Sequence, residues 1–207
     1  MMMSMRKLLR SCTGGSAAEF ALVLPVLTMF LLGLVDVGRL MWTWNQAEKA
    51  TQMGARYAVV TGPVATDMSG YSFVTSGGLQ QGDPIPATFG TMTCSMSGAN
   101  AACSCSAGTC AWGTTASTSA LTGIATRMRY FFPGVAPANI VVEYSPTDLG
   151  FAGDPNGTDA APLVTVSLRN VTFKPLLLQL FAGALSIPLP DFRASLTLED
   201  GAGTESN

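Results

Sequence analysis

Cys94, Cys103, Cys105 and Cys110 lie in one short stretch of the chain. Cysteines grouped in this way either hold a metal or pair as disulfides. Four-cysteine zinc sites present two C-x2–4-C knuckles, whereas this stretch has a single C-x-C with unequal flanks. In an exported domain disulfides form and persist, so two disulfides, no metal and no other cofactor are expected. Joining Cys103 to Cys105 closes a strained small ring. Two connectivities remain: Cys94–Cys103 with Cys105–Cys110, or Cys94–Cys105 with Cys103–Cys110. The chain has no histidine, which removes Ser-His-Asp and Cys-His nucleophiles and histidine-ligated metals. A carboxylate pair can still do acid–base work. Yet Glu143 with Asp148, or Asp154 with Asp159, have no spacing that singles them out. The Asp154–Asp159 stretch lacks the terminal bidentate glutamate of a calcium loop and reads as a polar turn. No enzymatic activity is expected.

A second chemical feature stands near the N-terminus. A leader carrying Arg6, Lys7 and Arg10 is followed by Gly14-Gly15-Ser16-Ala17-Ala18-Glu19-Phe20 and an apolar run to Val35. A carboxylate at the lip of a hydrocarbon span is costly, so Glu19 calls for a partner charge. Cutting the chain between Gly14 and Gly15 would create an α-amino group that is positive at neutral pH. In a bundle of parallel helices, Glu19 of one subunit could pair with the Gly15 ammonium of its neighbour. That pairing offsets the burial of both charges and fixes the axial register. A cut after Gly15 instead would leave Glu19 fourth rather than fifth in the mature chain. A secretory signal would need a small-x-small site after the apolar run, and here the run passes into Asp36-Val37-Gly38-Arg39. A lipoprotein cysteine would follow the apolar run, whereas Cys12 precedes it.

The elements that position these groups follow from periodicity. As a helix, Phe20–Val35 spans about 24 Å, a little short of a hydrocarbon core of roughly 30 Å. Pro25 is expected to kink it. The basic leader places the N-terminus in the cytoplasm and the rest outside. Asp36 then falls at the outer interface. Trp42 and Trp44 suit an interfacial belt, with core packing of one or both as the alternative. The helix continues to about Val60, with Ala47, Ala50, Met53, Gly54 and Tyr57 at helical spacing, and Gly62-Pro63 ends it. Residues 61–115 read as a loop with one or two short strands, stapled by its cysteines over 94–110. Ala116–Phe132 reads as an amphipathic helix with Leu121, Ile124, Ala125, Met128 and Phe132 on one face. Strands are predicted at Ile140–Tyr144, Leu163–Arg169 running on to Phe173, and Phe192–Glu199. A short helix is expected between Lys174 and Ala184.

The expected fold class is therefore α+β. A long N-terminal transmembrane and amphipathic helix would be packed on a small antiparallel sheet head with a disulfide-stapled loop. The expected organisation is a cleaved leader over 1–14, a transmembrane segment over 15–36, its continuation over 37–60 and a head over 61–207. Composition agrees with one anchor and one globular part. Charged residues make up 12% of the chain, the net charge is −2, and the mean hydropathy is +0.35. No basic patch is interleaved with aromatics, so nucleic acid is not an expected partner.

Ser16-Ala17-Ala18-Glu19-Phe20-Ala21-Leu22-Val23-Leu24-Pro25 resembles the class III signal of type IV pilins and pseudopilins. More specifically, it resembles the start of TadE-like proteins of tight-adherence (Flp-type, type IVc) pilus systems. The similarity continues through Gly38-Arg39-Leu40, Gln46-Ala47-Glu48-Lys49-Ala50 and Gly54-Ala55-Arg56-Tyr57-Ala58, and so covers the first sixty residues. It implies a structural minor pilin or pseudopilin with a pilin-like plan, processed by a prepilin peptidase at a site formed by Gly14, Gly15, Glu19 and Phe20. Its implied partners are other pilins, the peptidase, the inner-membrane assembly machinery and the lipid bilayer. Its implied location is the bacterial inner membrane, single-pass, with a periplasmic head and possible entry into a pilus. An uncleaved periplasmic assembly protein and a surface adhesin head are the alternatives.

Overall fold

The computed structural model describes residues 15–86, 89–147, 149–153, 159–177, 179, 183 and 185–198. Helix α1, Gly15–Val60, is rich in alanine, leucine and methionine, which favour helix, and it is continuous through Pro25. A turn beyond the proline, the Thr28 hydroxyl donates to the Leu24 carbonyl at 2.7 Å. At its end, the backbone N–H and hydroxyl of Thr61 both donate to the Tyr57 carbonyl, at 3.2 and 2.7 Å. Gly62-Pro63 follows, and proline offers no N–H with which to continue the helix.

The chain forms two compact units. One contains the residues up to Trp42 with Phe173–Ile187, and the other contains Thr43–Thr172 with the chain from Pro188 on.

The larger unit holds a five-stranded antiparallel sheet. Its strands are β1 (Thr91–Ser97), β2 (Asn100–Ala107), β3 (Ile140–Ser145), β4 (Leu163–Leu168) and a last strand, Phe192–Thr197, here β7. Two-residue strands β5 (Thr172–Phe173) and β6 (Ile187–Pro188) pair separately. The order across the large sheet is β2-β1-β3-β4-β7. Register places Cys103, Cys94, Val142, Val166 and Ala194 in one cross-strand row, and Cys105, Met92, Tyr144, Val164 and Leu196 in another. Residues directly opposite in antiparallel strands share a face. Met92, Cys94, Val142, Tyr144, Val164 and Val166 are buried there. A one-turn helix, α2 (Thr66–Ser69), follows α1, and helix α3, Thr118–Arg129, buries Leu121, Ile124, Ala125 and Met128.

Several expectations shift in detail. The cysteine-bearing stretch forms a hairpin, β1–β2, which contributes two full strands to the sheet. Gly98, with φ of 65°, makes its turn, a backbone conformation that glycine adopts without steric cost. Helix α3 is shorter than Ala116–Phe132 because the Ser117 side chain caps it, accepting from the Ala120 N–H at 3.1 Å. The long predicted strand from Leu163 to Phe173 breaks at Asn170, whose φ is 57°. The predicted helix between Lys174 and Ala184 falls partly outside the described residues, and Leu176 and Leu177 lie in a turn.

Gly54 of α1 lets α3 and β4 approach the helix closely. A Cβ built there would meet Met128 of α3 at 2.8 Å and Val166 of β4 at 3.5 Å. The buried Tyr144 hydroxyl accepts from the Val64 N–H at 2.8 Å, which fixes the chain where it leaves the helix. Loss of solvent around that hydroxyl pushes its pKa upward, more than the backbone N–H groups of Val64 and Ala65 pull it down.

Candidate functional site

From Gly15 to Val35 the surface of α1 is apolar and exposed, with Phe20, Leu22, Val26, Phe30 and Leu34 all open to solvent. This helix is long and apolar enough to cross a membrane. Core helices of this composition are buried, and this one is bare on all sides over four to five turns. Glu19 is exposed near its start, and among the described residues it has no ion-pair partner. Gly15 and Glu19 are four residues apart, which puts them on one face of the helix, a turn apart. Gly14, Arg6, Lys7, Arg10 and Cys12 lie outside the described residues.

The uninterrupted apolar run ends at Asp36. Asp36 is 4% exposed. Its Oδ1 accepts from the Leu176 N–H at 3.1 Å and its Oδ2 from the Leu177 N–H at 3.0 Å. Arg39, one turn on, donates from Nη1 to Oδ1 at 3.1 Å, and its guanidinium lies 5.5 Å from the centre of the Phe173 ring. A buried carboxylate needs hydrogen bonds and a counter-charge, and this one has both. The partners come from a strap, Phe173–Ile187, far along the chain. The sequence signals this only through Asp36 and Arg39 at ion-pair spacing. Phe173, Leu176 and Leu177 carry no local mark of the role.

Over this helix the chain matches a known family. Residues 14–56 fit the family model described as TadE-like protein. This segment is TadE-like. No curated protein and no solved structure matches the chain. A TadE-like segment suggests a protein associated with tight-adherence pili, a family that implies pilins or pilus machinery as partners in general terms. It contains the bare apolar helix, Glu19, Asp36 and Arg39.

The two tryptophans just past Asp36 separate. Trp42 is 68% exposed, whereas the Trp44 ring meets Phe192 edge-on at 5.2 Å between centres. In the sheet unit, disulfides join Cys94 to Cys103 and Cys105 to Cys110. Cys94 and Cys103 are directly opposite in the β1–β2 register, so the first bridge staples the hairpin across its strands.

Of the carboxylates considered for chemistry, Asp159 and Glu143 are engaged structurally. Asp159 is buried, and it accepts from the Phe73 N–H at 2.7 Å and the Gly153 N–H at 3.0 Å. Glu143 accepts from the Ser145 hydroxyl at 3.2 Å. Asp148 and Asp154 lie outside the described residues. Among the described residues, no three histidine, cysteine, aspartate or glutamate side chains are grouped to hold a metal ion. Tyr71, Phe73 and Phe89, between α1 and β1, instead gather with Trp112, beyond β2, in edge-on and tilted contacts with ring centres 4.8–6.5 Å apart.

Proposed function

We propose that the chain is a minor pilin or pseudopilin of a tight-adherence pilus, a structural component with no catalytic role. A prepilin peptidase removes the leader between Gly14 and Gly15, with Glu19 and Phe20 completing the processing site. The mature helix spans the inner membrane through its apolar run, with the basic side of Arg6, Lys7 and Arg10 cytoplasmic and the disulfide-bonded head periplasmic. Within the bilayer the helix packs with those of other pilins, and Glu19 pairs with the terminal ammonium of a neighbour to set their register.

One observation carries this reading. The TadE-like match coincides with a helix whose apolar surface is exposed all round and has an acid at its start. A monomer in water has no use for such a surface, whereas lipid and other apolar helices both cover it. Glu19→Ala tests the role of the acid. The variant should reach the membrane in normal amount and support few pili. Normal pilus number in cells making only that variant would remove Glu19 from assembly.

A further inference from the structure

The strap Phe173–Ile187 exposes apolar side chains among its described residues. Leu176 is 63% exposed, Leu185 36% and Ile187 37%. Within the strap the Gln179 side-chain amide donates to the Leu185 carbonyl at 2.9 Å, and the Gly183 N–H donates to the Gln179 carbonyl at 3.1 Å. Its height along α1 is fixed, because Asp36 holds the N–H groups of Leu176 and Leu177.

We propose that this strap is a second lipid-contacting element, a collar lying in the headgroup boundary at the outer end of the span. The proposal rests on the membrane-spanning reading of α1. The apolar run ends at Val35 and Asp36 is the next residue, so the strap is pinned where hydrocarbon gives way to headgroups. That boundary is several ångströms deep on each side of the bilayer. Leu34, Val35, Val37, Met41 and Trp42 are exposed on α1 around the same height, so the strap's leucines continue an apolar surface already on the helix. Lys174 is exposed on the strap, and a lysine at this depth reaches lipid phosphates with its ammonium while its stem stays in apolar surroundings. Asp36 thus acts as a positioning residue. It makes no contact with lipid, and it holds the backbone that does.

The test uses the full chain with Cys12→Ser, reconstituted in phosphatidylethanolamine and phosphatidylglycerol vesicles with its native disulfides formed. A nitroxide is placed at Leu176→Cys, with reference labels at Leu31→Cys in the span and Tyr130→Cys on the head. Collisions with dissolved oxygen and with a water-soluble nickel chelate are compared. The expected oxygen-to-nickel ratio at position 176 is several-fold above that at 130 and approaches that at 31. Adding Asp36→Ala should lower the ratio at 176 and leave 31 unchanged. A nickel-accessible label at 176 beside a lipid-like label at 31 overturns the collar alone. A label at 176 shielded from both reagents also overturns it, since protein would then be the cover. A nickel-accessible label at 31 overturns the spanning reading, and the collar with it.

Discussion

Asp36 accepts a hydrogen bond from the backbone of Leu176, a residue 140 positions along the chain, at 3.1 Å. The bond joins the end of the apolar helix to a strap that follows the fourth long strand. It turns a carboxylate that sequence places beside a membrane into an organising centre, to which Leu177 and Arg39 also donate.

Replacing that carboxylate should release the strap. In Asp36→Ala the N–H groups of Leu176 and Leu177 lose their acceptor, and a hydrogen bond to a charged group contributes about 1.5–3 kcal/mol. Hydrogen exchange at these two amides should accelerate by roughly tenfold to a hundredfold, because each ~1.4 kcal/mol is a factor of ten. Amides of β3 and β4 should not change. Unaltered exchange at 176 and 177 would mean that other contacts hold the strap.

Tyr144→Phe should destabilise the sheet unit by about 1–3 kcal/mol, because it strips the acceptor from the buried Val64 N–H. The same residue predicts an alkaline effect. Its folded pKa is raised by burial above the ordinary value of 10.0, so the folded state keeps a proton that the unfolded state loses. The contribution is present in full below pH 10 and declines above it, by up to about 1.4 kcal/mol per pH unit. Denaturant titrations at alkaline pH should show this slope in the native sequence and a shallower one in the phenylalanine variant.

Gly54 lies where α1 meets both Met128 and Val166. An alanine there needs only a shift of the flexible methionine end. A valine forces the helix from the sheet, and overpacking of this kind costs about 1–3 kcal/mol. Gly54→Val should lower the thermal midpoint, and Met128→Ala should recover part of the loss in the double variant. Full additivity of the two changes would deny their contact.

The hairpin bridge has a separate weight. Removing Cys94–Cys103 as a pair of alanines should cost about 2–3 kcal/mol from loop closure, read from urea unfolding of the full chain in detergent. Peptide mapping without reduction should recover Cys94 with Cys103 and Cys105 with Cys110. Recovery of Cys94 with Cys105 would contradict the register of β1 and β2.

The course of α1 was legible because its signals are local: an apolar run, small residues at helical spacing and a Gly62-Pro63 stop. The strands at Ile140–Tyr144 and Phe192 onward showed through β-branched and alternating residues. The β1–β2 hairpin was harder to read. Its strands are built from serine, threonine, alanine and cysteine, a composition shared with loops, and pairing with β3 and a cross-strand disulfide supply what propensity does not. The aromatic cluster around Trp112 was hidden for a related reason, since single aromatics scattered through a polar segment have no period. Glu19 and Asp36 both stood out as acids beside an apolar run. Among the described residues Asp36 alone of the two has intrachain partners, and Leu176 and Leu177 come from a distance at which sequence carries no pattern.

The most direct test of the central claim is the N-terminal sequence of the chain recovered from membranes of cells that carry a prepilin peptidase. Processing between Gly14 and Gly15 predicts a mature chain beginning Gly15-Ser16-Ala17-Ala18-Glu19, with Glu19 fifth. A chain that still begins at Met1 would contradict the account and leave α1 as an uncleaved anchor.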